Sequence, residues 1–217
     1  MLKVAMPKGR LLPRSEAAVA ALADAAPGVP LHARYLRMPD IPDLVCEGLV
    51  DVGIAGEEWL VESAADVVHV APLCWYHVRI CALCGPGGIP HGRKVRVVSE
   101  YQRIAGAFAA ARWADASTQR TVRGSVEHYL PDLADVAIEC VETGESMRRR
   151  GLVAVETLFE ADVWLICSRE AAKDSGTVAL LSRWAEVIAK RDETAPLTHK
   201  PVPVSAKGVL HTTLEGR

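Results

Sequence analysis

No apolar run in the sequence approaches the ~20 residues that a membrane-spanning helix requires. An excess of either charge is missing too. The 25 basic and 27 acidic residues leave a net charge of −2, so no overall basic field draws in nucleic acid or an anionic membrane surface. The histidines (His32, His69, His77, His91, His128, His199, His211) form no i, i+4 pair around a carboxylate, which removes the helical zinc signature. Neither a G-x-S-x-G elbow, a Walker loop nor a Cys–His nucleophile pattern is present. Six cysteines are scattered, and the one C-x-x-C, Cys81 to Cys84, falls in a strand-like run where i and i+3 point to opposite faces. They read as reduced, buried thiols. The opening MLKVAMPKGR lacks the apolar centre of a signal peptide, so a cytoplasmic location is expected.

Aromatics are scarce as well, at 5%, while half the residues are hydrophobic. That balance, rich in Ala and Val, suits stacked α/β layers. Strand-like and helix-like segments alternate from Leu2–Pro7 onward, which predicts an α/β protein with mostly parallel sheets. Separate strands are expected at 67–70 and 77–84, and again at 152–158 and 162–167. Ser125 reads as a helix cap, and a long helix is expected near 177–191. The Gly/Pro-rich stretch Gly85–Pro90 is the candidate hinge. The tail holding Pro196, Pro201 and Pro203 reads as edge strands or mobile chain.

The stretch that carries chemistry is LADVAIECVETGESMRRRGL, Leu133 to Leu152. It reads as a buried strand, a turn with Thr143, Gly144 and Ser146, and a helix opening near Met147. Backbone amides at such a junction hold phosphates, hydroxyls add bonds, and a glycine permits close approach. Glu139 and Glu142 stand where they accept hydrogen bonds from sugar hydroxyls. Lys8, Gly9 and Arg10 follow the first strand, and two cations around a glycine there suit a diphosphate. Gly53 and Gly56 in the third strand fit either tight packing or a close ligand approach, with a second helix N-terminus after Gly56. Arg148, Arg149 and Arg150 fit a solvated helix face or a counter-charge to Glu142 and Glu145.

Glu139 to Met147, ECVETGESM, resembles the phosphoribosyl-diphosphate loop of the ATP phosphoribosyltransferase family. Four further segments follow the family's order: Pro7-Lys8-Gly9-Arg10-Leu11, Arg37 to Pro42, Val45 to Gly56, and the pair Arg96–Ala105 with Arg123–Glu127. The chain departs from the family at Glu139 (usually Asp), at Ser146-Met147 (usually Thr-Leu), and in a shorter 127–133 segment. The resemblance implies the short form of the family, with two mostly parallel-sheet domains like type II periplasmic binding proteins and a cleft between them. Domain I is expected at 1–86 plus 172–217, and domain II at 87–171. It implies transfer of phosphoribosyl from phosphoribosyl diphosphate to N1 of ATP, with Mg²⁺ arriving on the diphosphate and no metal held by protein alone. Thr143, Gly144 and Ser146 would hold the 5′-phosphate, Lys8, Gly9 and Arg10 the diphosphate, and Glu139 and Glu142 the ribose. Arg37, Asp51, Gly53, Gly56, Arg79 and Glu127 would line the acceptor side. A homo-oligomer and a regulatory subunit resembling histidyl-tRNA synthetase are also implied. Because the departures fall on the loop, two alternatives stay open: a relative using another nitrogen nucleophile, and a ligand-binding subunit without catalysis.

Overall fold

The computed structural model describes residues 1–194, so the proline-bearing tail lies outside them. The elements alternate as β1 (Leu2–Pro7), α1 (Leu12–Ala25), β2 (Leu31–Leu36), α2 (Ile41–Cys46), β3 (Val52–Gly56), α3 (Glu57–Ser63), β4 (Val68–Cys84), β5 (Val95–Ser99), α4 (Gln102–Trp113), β6 (Ser117–Thr121), β7 (Val136–Val141), α5 (Glu145–Arg149), β8 (Val153–Cys167) and α6 (Ser175–Thr194). They build one eight-stranded sheet in the order β2-β1-β3-β8-β4-β7-β5-β6. Parallel pairing joins β2, β1 and β3 at one end and β7, β5 and β6 at the other. Antiparallel pairing through β8 and β4 connects the two groups. No described helix is long and apolar enough to cross a membrane.

The α/β reading holds, and its correction lies in the connection. The two strands expected in each long segment are one continuous strand, β4 in the first and β8 in the second, laddered along their lengths. Register shifts at His69/Ala71 and Leu73/His77 take up Val70 and the run Cys74–Tyr76 as unpaired residues, so the ladder continues through the stretch that read as a break. A bulge keeps the ladder while bending and twisting the strand. The apolar core changes partners along these strands: Leu73 and Trp75 pack with Val4, Met6 and Trp184, whereas Ile80 and Ala82 pack with Val95, Ile104 and Val136. Each half-sheet thus buries its own layer against helices.

Local chemistry explains the elements that frame the site. Pro13 in the first turn of α1 occupies a position whose missing N–H goes unused, and Ser15 Oγ donates to Pro7 O at 2.7 Å, tying that helix to the end of β1. Fully buried Trp184 on α6 donates its ring N–H to Ala18 O at 2.7 Å. Ser125 is no cap: it sits at φ +50 with no side-chain capping bond, and the adjacent Gly124 N–H donates to the Glu100 carboxylate. Of the cysteines, Cys46 and Cys74 are exposed rather than buried, and none is paired.

Candidate active site

β7 ends at Val141, and the chain turns through Gly144 at φ +71 into α5, which opens at Glu145 rather than Met147. A left-handed residue here favours glycine, the residue present. Thr143 Oγ1 accepts from Glu145 N–H at 3.3 Å, and Gly144 O accepts from Arg148 N–H at 3.0 Å. The Arg148 side chain, exposed like Arg149 and Arg150, folds back to donate to Thr143 O at 3.0 Å and so braces the turn from the solvated face. Glu145 pairs with Arg149 at 3.7 Å, with both side chains mostly in solvent. Around this turn lies a cavity of ≈ 170 Å³ lined by Leu83, Glu127 and the run from Glu139 to Met147. The candidates Glu127, Glu139, Glu142, Thr143, Gly144 and Ser146 are thereby brought together.

Glu139 stands at the inner wall. Burial, then the nearby charges of Glu127 and Glu100, push its carboxyl up to about 7, against the opposing pull of the Cys140 N–H that donates to Oε1. Burial likewise pushes the Cys140 thiol up to about 12, which leaves it protonated and unsuited to act as a nucleophile. The raised Glu139 value has a sign. The unfolded chain gives up this proton near the ordinary 4.5 and the folded chain near 7, so stability falls as pH rises through that window. Glu139→Gln should therefore match the parent at pH 5 and exceed it at pH 8 by about 2 kcal/mol, or about 5 °C in Tm. Thermal scans at the two pH values check it.

Across from this loop are the residues that follow β1. The register of β1 with β2 and β3 sets Lys8, Arg37 and Gly56 at one level, the carboxyl end of three parallel strands. Gly9 takes φ +78 there, and Arg10 forms an ion pair with Glu142 while its guanidinium lies 5.1 Å from the centre of the Tyr76 ring. Lys8, Gly9 and Arg10 thus face the loop through Arg10. The helix N-terminus after Gly56 is filled by its own chain, which favours the packing reading over a ligand approach. Glu58 is 3% exposed and accepts from Tyr76 O–H at 2.7 Å. Burial raises its carboxyl despite that bond and the Arg10 charge.

Gly56 is thus taken up in packing, and two more of the acceptor-side candidates are placed elsewhere. Asp51 lies at the opposite, amino end of β3, where its carboxylate accepts from Lys3 N–H at 2.7 Å. Gly53 serves packing: a Cβ there would come within 2.6 Å of Ile41 and 2.9 Å of Val45. Arg79 is level with Val141 on β4, beside the loop but outside the cavity lining. Glu58 and Tyr76 escaped the sequence reading. The first looked like an ordinary first-turn acid, and the second fell in a segment read as a connection. Glu62 escaped it too. Its carboxylate accepts from the N–H groups of Arg103 and Ile104 at 2.9 to 3.0 Å, capping α4 from α3, while Trp59 and Tyr101 stack at 4.7 Å beside it. Helix α4 has no side-chain cap of its own residue. Glu62→Ala should therefore lower stability by about 1 kcal/mol, a Tm loss of about 3 °C on differential scanning.

Comparison with known proteins adds the following. A family model described as HisG, ATP phosphoribosyltransferase, matches residues 37–190. An ATP phosphoribosyltransferase from Chlorobium luteolum is 31% identical over 153 residues, covering 66% of this chain and 52% of that protein. Another from Dictyoglomus thermophilum is 27% identical over 184 residues, 76% of this chain and 86% of its own. The chain spans about half the length of most of the curated relatives it matches. Among solved structures, a chain of the ATP phosphoribosyl transferase (HisG:HisZ) complex from Thermotoga maritima superposes with a TM-score of 0.78 at 20% identity, covering 88% of this chain and 99% of that one. The periplasmic aliphatic sulphonate binding protein SsuA from Escherichia coli gives a TM-score of 0.55 at 12% identity, over 89% of this chain and 75% of its own. These structural likenesses establish a shared fold.

Proposed function

The chain belongs to the ATP phosphoribosyltransferase family, and from that premise we propose that it transfers the 5-phosphoribosyl group of phosphoribosyl diphosphate to N1 of ATP, releasing diphosphate, as in the first step of histidine biosynthesis. The observation that carries this reading is the cavity around the Gly144 turn, with Arg10 reaching it from the end of β1. The loop Thr143–Ser146 takes the 5′-phosphate through backbone amides and two hydroxyls. Glu139 and Glu142 meet the ribose hydroxyls, and Lys8 and Arg10 take the diphosphate. Arg37 and Glu127 remain on the acceptor side, with Arg79 beside the loop; Asp51, Gly53 and Gly56 are assigned to structure.

The lone pair of the acceptor's ring nitrogen forms a bond to the anomeric carbon as the bond to diphosphate oxygen breaks. Positive charge builds on the ribose and negative charge on the leaving group. Such a displacement asks for positioning and fixed charges rather than a protein nucleophile. Arg10 and Lys8 offset the leaving group's charge, and the Glu142 carboxylate suits the cationic ribose, joined by Glu139 as pH rises past about 7 and its carboxyl ionises. Among the described residues no group of three His, Cys, Asp or Glu side chains is arranged to hold a metal. Mg²⁺ belongs in this scheme with the substrate, on the diphosphate oxygens, and no step here passes through it.

For the domains, expected as 1–86 plus 172–217 and 87–171, we propose two lobes that exchange inside β4 and β8; the change of apolar partners between Trp75 and Ile80 supports this reading. We also place the protein in the cytoplasm, as an oligomer with a HisZ-like partner. The test is diphosphate release from phosphoribosyl diphosphate and Mg²⁺, with ATP and with other heterocycles. Release with ATP is expected. Release only with another heterocycle assigns a different acceptor, and binding without release marks a non-catalytic subunit.

A further inference from the structure

Arg10 sits on a short turn after β1 with 61% of its side chain exposed. A long side chain in that setting loses rotamer freedom on binding unless something already holds it. Two groups hold it here, the Glu142 carboxylate and the Tyr76 ring. They differ in kind. Glu142 is an anion on the loop itself, so a bound diphosphate competes with it for the same guanidinium. The ring is neutral, and its face attracts the cation whichever anion the guanidinium meets.

The ring in turn is fixed from behind. Tyr76 O–H donates to Glu58 Oε1 at 2.7 Å and lies 3.2 Å from Met38 Sδ, which also accepts from Gly56 N–H at 3.3 Å. Gly56 presses so close that a Cβ there would stand 2.1 Å from the Tyr76 hydroxyl. Glu58 Oε2 is buried with no hydrogen-bond partner among the described residues, so the Tyr76 hydroxyl matters to that carboxyl. Tyr76 itself lies on β4 at the Leu73/His77 register shift, which turns it toward the β1 end.

We propose that Tyr76 is a positioning residue for Arg10: its ring is the fixed platform that keeps the guanidinium aimed at the Gly144 loop when Glu142 gives way to the substrate's diphosphate. The inference rests on the proposed function, since it names a residue that serves the same site. It separates two roles of one side chain. The ring serves ligand affinity, and the hydroxyl serves stability through Glu58.

Calorimetric titration with phosphoribosyl diphosphate and Mg²⁺ tests it on the full chain. Tyr76→Leu should weaken binding about fivefold, whereas Tyr76→Phe, which keeps the ring, should stay within about twofold of the parent while melting at a lower temperature. In an Arg10→Gln background, Tyr76→Leu should change affinity less than about twofold, because the group it acts through is gone. Tyr76→Met, of similar bulk without an aromatic face, replaces the leucine variant if that one fails to fold. Equal losses in both backgrounds, or a Phe variant as weak as the Leu variant, overturn the proposal. If the parent protein binds no phosphoribosyl diphosphate, the functional reading falls and this inference with it; if the parent binds and the cycle is additive, only the inference falls.

Discussion

Arg10→Gln is expected to lower kcat/KM for phosphoribosyl diphosphate by about 50-fold, the scale of one lost charge-assisted hydrogen-bonding group. The substitution keeps a polar side chain of moderate length but removes the cation. Because the Arg10–Glu142 pair is partly solvent-exposed, its loss should leave the melting temperature within about 2 °C of the parent. Diphosphate-release kinetics beside a thermal scan read both quantities. A large fall in Tm, or an unchanged kcat/KM, would show that Arg10 belongs to the scaffold and not to the site.

Asp135→Ala is expected to act in the opposite way, with a large loss of stability. Asp135 is 6% exposed at the entry to β7 and binds both Arg93 and Arg96, with oxygen–nitrogen distances from 2.7 to 3.2 Å, and the Arg96 backbone N–H at 2.8 Å. This cluster fixes the start of β5 against β7 and so sets the strand that carries the Gly144 loop. Burial works against the charge, but the two guanidinium groups overcome it and hold the Asp135 carboxyl well below the usual carboxylate range. Removing one partner of such a pair leaves the others without it, at a loss of about 3 kcal/mol and about 9 °C in Tm. The sign with pH follows: a depressed carboxyl stabilises fully at neutral pH and loses that contribution as pH falls below the ordinary 3.8. Parent and variant should therefore draw closer in stability in acid, which denaturant melts at pH 7 and pH 3 can check.

Much of the fold was legible because period and turn chemistry agree there. Leu2–Pro7 and Leu31–Leu36 match the expected strands, and the strand–turn–helix at Val141 to Glu145 is readable from Thr143, Gly144 and Ser146. What was not legible depends on partners distant in sequence. β4 and β8 looked like pairs of strands because the stretches 71–76 and 159–161, which hold Pro72 and Glu160, separate the apolar runs, and only their mutual ladder shows them to be continuous. Asp51 and Gly53 have residue types that suit a ligand, yet register and packing give them structural work. Glu58, Tyr76 and Glu62 became visible only once β4, α3 and α4 came together, because a buried carboxyl and a cap supplied from another helix leave no local pattern.

Hydrogen–deuterium exchange with and without phosphoribosyl diphosphate and Mg²⁺ tests the placement of the ligand most directly. The account predicts slower exchange confined to the amides of 142–148 and the turn at 8–11. Binding that leaves both segments unchanged while protecting another part of the sheet would contradict it.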